Sequence, residues 1–102
     1  MNFEQLIKFA VDQNASDLHF QTGASPLLRI NGQIRNVESP PLTEDVLKQF
    51  ILSLRPSIKP EELDEKIYQG LDFSYFVPGL SRFRVNIYSH LDTPAMVMIL
   101  QR

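Results

Sequence analysis

The sequence predicts an α+β domain with a mainly antiparallel sheet of about six strands and helices packed on one face. Three observations carry this. Helix-period and strand-period stretches come in blocks, in the order α-β-β-β-α-α-β-β-β, rather than in strict alternation. Two short strand segments, Leu27–Ile30 and Gln33–Val37, flank Asn31-Gly32, a pair suited to the positive φ angles of a two-residue hairpin. Finally, Ser81–Ser89 alternates cleanly: Phe83, Val85 and Ile87 point one way, and Arg82, Arg84 and Asn86 point the other, with Tyr88 behind them. One face of that strand is apolar and can be buried, whereas the other sets two guanidinium groups side by side.

The first helix is predicted from Phe3, Leu6, Ile7, Ala10 and Val11, which follow the spacing of one buried stripe. Asn2 can cap it, with Gln5 three residues on as the return half of a capping box. Asn14-Ala15-Ser16 ends it. Asp17–Gln21 then alternates as a half-buried strand, with Leu18 and Phe20 inward and Asp17, His19 and Gln21 outward. After a loop at residues 22–26, Leu27–Ile30 and Gln33–Val37 form the hairpin around Asn31-Gly32.

Glu38-Ser39-Pro40-Pro41 interrupts the strand pattern, because proline cannot donate to a ladder and restricts the residue before it. Thr43, followed by Glu44 and Asp45, opens a helix whose apolar stripe is Val46, Leu47, Phe50, Ile51 and Leu54, with Arg55-Pro56 as its end. Pro60-Glu61-Glu62 opens another, with Leu63 and Ile67 inward and Gly70 as its stop. Leu71–Val77 alternates with Leu71, Phe73, Tyr75 and Val77 on one face. Pro78-Gly79 suits a type II turn, which brings the arginine strand back antiparallel. Asp92-Thr93-Pro94 is the expected last turn, before a final apolar strand over residues 95–100.

The totals fit one domain. A chain of 102 residues is long enough to bury a core without staples. With 10 basic and 12 acidic residues the net charge is −2, so bulk charge does not point to nucleic acid. Cysteine is absent, which excludes disulfides and thiol chemistry and suits a reducing cytoplasm. The N-terminal residues have neither the basic segment nor the apolar segment of a secretory signal, and no apolar run reaches the length of a membrane span.

Little of the usual catalytic chemistry is present. His19 and His90 each have an acid two residues away, Asp17 and Asp92, but one carboxylate and one imidazole are too few ligands for zinc, and no metal is expected. No nucleophile-elbow pattern surrounds a serine, and the run Glu61–Glu65 reads as a solvated helix face. The phosphate-cradling G-x-x-x-x-G-K-[ST] pattern is absent, so these residues alone are not expected to hydrolyse a nucleotide. Arg82 and Arg84 remain. They either pair with Asp72 or a neighbouring acid, or form a fork that grips phosphate.

An ordered set of short motifs adds a resemblance. Ala15-Ser16-Asp17-Leu18-His19, Pro26-Leu27-Leu28-Arg29-Ile30-Asn31-Gly32, Leu71-Asp72-Phe73-Ser74, Val77-Pro78-Gly79 and Arg82-Phe83-Arg84-Val85-Asn86 are similar to the N-terminal domain of PilT-like members of the type II/type IV secretion ATPase family. The resemblance implies a PAS-like domain, residues 1–102, that precedes a RecA-like ATPase domain absent from this chain. It further implies a hexameric ring that binds ATP and Mg, engages a pilus inner-membrane platform protein and lies in the cytoplasm, peripheral to the inner membrane. Arg84, and Arg82 just before it, match arginines expected to reach the phosphates when the two domains close. Asp72 and Asn86 beside them are the supporting candidates. Ile99 stands where many members carry another arginine. Retraction, assembly and secretion motors share this pattern, and no nucleic-acid partner is expected. A free-standing PAS-like ligand- or protein-binding module is the alternative.

Overall fold

In the computed structural model, which describes Asn2 to Gln101, all six strands form a single antiparallel sheet. The elements are α1 (Phe3–Asp12), β1 (Asp17–Gln21), β2 (Leu27–Ile30), β3 (Gln33–Asn36), α2 (Glu44–Leu54), α3 (Leu63–Gln69), β4 (Leu71–Val77), β5 (Ser81–His90) and β6 (Thr93–Gln101). Across the sheet the order is β3-β2-β1-β6-β5-β4. The first and last strands of the chain, β1 and β6, thus meet at its centre, and β5 lies between β6 and the edge strand β4.

Local chemistry sets the element ends. The Asn2 side chain accepts from the Gln5 N–H at 2.8 Å while the Gln5 side chain accepts from the Asn2 N–H at 2.9 Å, a complete capping box. Thr43 caps α2 by accepting from the Val46 N–H at 3.2 Å. Gly70 ends α3 at φ 91°, a backbone that an L side chain resists, and its N–H closes on the carbonyls of Lys66 and Ile67. The turn after β4 is the predicted one: Gly79 has φ 76° and the Leu80 N–H donates to the Val77 carbonyl at 3.0 Å.

Alternation does the packing. Leu18, Phe20, Phe83, Val85, Ile87, Met96 and Met98 are essentially inaccessible and share the face covered by the three helices. From α1, Phe3, Leu6, Ile7 and Ala10 meet them, and from α2 and α3 come Leu47, Ile51, Leu54, Leu63 and Ile67. Phe3, Phe20 and Phe50 form a ring cluster, with centroids 4.6 Å apart for Phe3–Phe50 and 5.9 Å for Phe3–Phe20. Among the described residues, no helix lies over the opposite face of the sheet.

Three details differ from the sequence expectation. The last turn is Leu91-Asp92 rather than residues 92–94, and both residues have positive φ, 50° and 62°. Pro94 lies inside β6. Its carbonyl accepts from the Thr22 hydroxyl at 2.9 Å, so its missing N–H faces the same side, just past the end of β1, where it interrupts no ladder. Pro60–Glu62 is a separate 3₁₀ turn ahead of α3, because proline removes a donor and fixes φ at the entry. Val46, expected in the α2 stripe, is 43% exposed and lies on the margin of the apolar face.

Candidate functional site

The uncovered face of the sheet carries the polar side chains that the alternation sends away from the core. Along β5 these are Arg82, Arg84 and Asn86, all exposed and all on one side, as expected. Register then decides their neighbours. Ser74 and Ile99 flank Arg84, Asp72 and Val97 flank Asn86, and Phe76 and Gln101 flank Arg82.

Arg84 and Asp72 meet on the diagonal between β5 and β4. Arg84 donates from Nη2 to Asp72 Oδ2 at 2.8 Å and from Nε to Oδ1 at 3.3 Å. This two-pronged pair holds the Asp72 carboxyl below the usual carboxylate range and raises the guanidinium's own proton affinity. Both side chains are about half exposed, so the pair is open to a competing anion. Arg82 is different. Its guanidinium lies 5.5 Å from the Phe76 ring centroid, and among the described residues no carboxylate is within ion-pair distance. The Asn86 amide, two residues past Arg84 on the same face, makes no hydrogen bond among the described residues and is an available donor and acceptor.

A second charged cluster lies on the same face, across β6. Asp17 accepts from Ser16 and pairs with His19, the other member of its D-x-H, and with Arg29 on the adjacent strand at 3.5 Å. Burial pulls the Asp17 carboxyl upward. The hydrogen bonds from Ser16 and His19 and the charges of His19 and Arg29 outweigh it, and the net shift is downward. Arg29 is a partner that the sequence reading did not assign. Its place opposite Asp17 follows from the β1–β2 register, which the irregular loop at 22–26 conceals. Ile99 is 45% exposed and separates the two clusters, directly opposite Asp17 on one side and Arg84 on the other.

A cavity of about 230 Å³ beside α2 and α3 is lined by Glu44, Lys48, Asp64, Tyr68 and Asp92, among others, away from the open face. There Lys48 bridges Asp64 at 2.7 Å and Glu44 at 3.1 Å, and the hydrogen bond it donates to Asp64 leads the upward shift of its ammonium. Among the described residues, the arginine face offers one guanidinium without an acidic partner, one shared guanidinium and an exposed amide. That arrangement can bind an anion presented from outside, with a second wall supplied by whatever presents it.

Comparison with known proteins agrees with the fold and these motifs. No protein-family model matches the chain. The type IV pilus retraction ATPase PilT of Pseudomonas aeruginosa is 34% identical over 89 residues, covering 87% of this chain and 25% of that protein. A crystal structure of the pilus retraction motor PilT with bound ADP superposes with a TM-score of 0.78 at 32% identity, over 97% of this chain and 29% of the other. The ATPase DotB of Legionella pneumophila gives a TM-score of 0.79 at 25% identity, over 95% and 28%. The chain therefore spans about a quarter of the length of the relatives it matches. In sequence and in fold alike, it belongs with the N-terminal domains of the PilT-like secretion ATPases.

Proposed function

We propose that this chain is the regulatory N-terminal domain of a hexameric secretion or twitching-motility ATPase, closing on ATP and Mg held by a downstream RecA-like domain and coupling hydrolysis to type IV pilus retraction. The carrying observation is the placement of Arg82 and Arg84: both are exposed on one helix-free face, and Arg82 has no acidic partner among the described residues. A phosphate brought against this face gains two guanidinium groups, with Asn86 adjacent. Asp72 acts as a latch that holds Arg84 until the anion competes for it. Closure is a rigid-body movement of one domain on the other, so the fold itself need not change. Neighbouring subunits and an inner-membrane platform protein are the further partners of this reading, at the cytoplasmic side of the membrane. Among the described residues no helix is long and apolar enough to cross a membrane.

The test is Arg84→Ala and Arg82→Ala in the full-length parent. Each is expected to weaken nucleotide binding and to slow ATP turnover at least about tenfold, the scale of a lost phosphate contact. Wild-type turnover and affinity in both variants would refute the lid role. A parent reading frame without a phosphate-cradling motif downstream would favour the free-standing binding module instead.

A further inference from the structure

The two edges of the sheet are unequal. β3 is four residues long and is followed within a few residues by Pro40-Pro41. β4 runs for seven residues, with Asp72 its only charged side chain and no proline or lysine. Among the described residues its backbone hydrogen bonds with other segments are those of the β4–β5 ladder and the turn that follows it. A long, regular edge of this kind is a template for another strand, and proteins usually blunt such edges.

We propose that the strand taken up by this edge is β4 of a second copy, paired antiparallel about a two-fold axis through Ser74. Under that operation β4 complements itself. Leu71 faces Val77 and Phe73 faces Tyr75, and all four side chains are half-buried on the helix side. These are the apolar and aromatic cross-strand pairs that stabilise a ladder. On the open side Ser74 faces Ser74, and Asp72 faces Phe76. The last pairing sets a carboxylate beside an aromatic ring. Phe76 has Arg82 of its own copy over its ring, and Arg82 has no carboxylate among the described residues. Asp72 of the second copy stands one strand spacing, roughly 4.8 Å, from Phe76 and two from β5, so Arg82 meets it only across the ring, and Asp72 is shared with the Arg84 of its own copy. A two-fold interface makes the contact twice. A slip of one residue would set apolar side chains against the open face; slips of two keep the faces, and the axis through Ser74 is the one that pairs all seven residues of β4. An edge contact buries little area, and the association is accordingly weak and concentration-dependent.

Sedimentation equilibrium of the 102-residue chain, from about 10 μM to about 1 mM, tests this. The weight-average mass is expected to rise from the monomer's 11.8 kDa toward twice that value. Ser74→Asp and Ser74→Lys each set like charges face to face across the axis and are expected to abolish the rise, whereas an equimolar mixture of the two restores it. Ser74 is exposed, and circular dichroism verifies that both variants stay folded. In the unsubstituted chain, amide exchange over residues 71–77 is expected to slow about tenfold between the two concentrations. A monomer throughout the range overturns the proposal. So does a dimer indifferent to both substitutions, a mixture that stays monomeric, or exchange that does not respond to concentration.

Discussion

Arg84 and Arg82 show how two like residues on one strand acquire different chemistry from their neighbours. Arg84 is held by a carboxylate on the diagonal, whereas Arg82 rests on an aromatic ring. Their shared face was legible, because alternation alone places residues 82 and 84 together. The Asp72 pairing was one of two readings that residue type left open, and the register brings that pair together for Arg84. The acids also set the response to pH. Asp17 and Asp72 are both held below the ordinary carboxylate value of about 3.9, so the native state favours their charged forms. The stability they confer is present at neutral pH and is lost as the pH falls below about 4 through their folded values. Asp17→Asn is expected to cost about 1–2 kcal/mol at pH 7, the worth of a hydrogen bond to a charged group, and to cost progressively less in acid. Melting curves from pH 7 down to about pH 2 would show the variant and the parent converging. A constant gap would mean that packing, rather than charge, is responsible.

Among the elements, the β5–β6 turn carries the most backbone strain. Leu91 and Asp92 adopt the left-handed pair that a tight hairpin requires, yet leucine is poorly suited to φ 50° and its side chain is 85% exposed. Replacing the pair with Leu91→Asn and Asp92→Gly should relieve roughly 1 kcal/mol or more. In a domain of this size that corresponds to a melting temperature higher by about 4–8 °C, readable by calorimetry. An unchanged or lower value would show that the exposed Leu91 side chain is held by contacts that offset its strain. The same turn explains a sequence misreading. Thr93-Pro94 has the composition of a turn, and only the end of β1 beside Pro94 lets proline sit within the ladder. The first helix is the opposite case, since its cap, its apolar stripe and its end are all written in nearby residues.

For the whole molecule, burial is concentrated on one side of one sheet. Phe83, Val85 and Ile87 sit under the helices beside Met96 and Met98, so the strand that presents the arginines also anchors the core. Phe83→Ala is expected to cost about 3–5 kcal/mol, a large part of a small domain's stability, and to lower the urea midpoint sharply without changing the slope. Ile34→Ala, on the exposed face of the short edge strand, is expected to stay within about 0.5 kcal/mol of the parent. Comparable losses at both positions would contradict a core confined to the helix side.

By itself the sequence determined what depends on neighbours along the chain: the periodicity of each helix and strand, the asparagine cap, the glycine stops, and the side of β5 on which Arg82 and Arg84 stand. These follow from backbone geometry repeated every two or 3.6 residues. The tertiary structure alone decided how the hairpins join into one sheet. Bringing β6 between β1 and β5 set Ile99 between two charged clusters and left β4 as the bare edge. Those relations join residues dozens of positions apart, and they are settled by the collective burial of one apolar face, which no local pattern encodes.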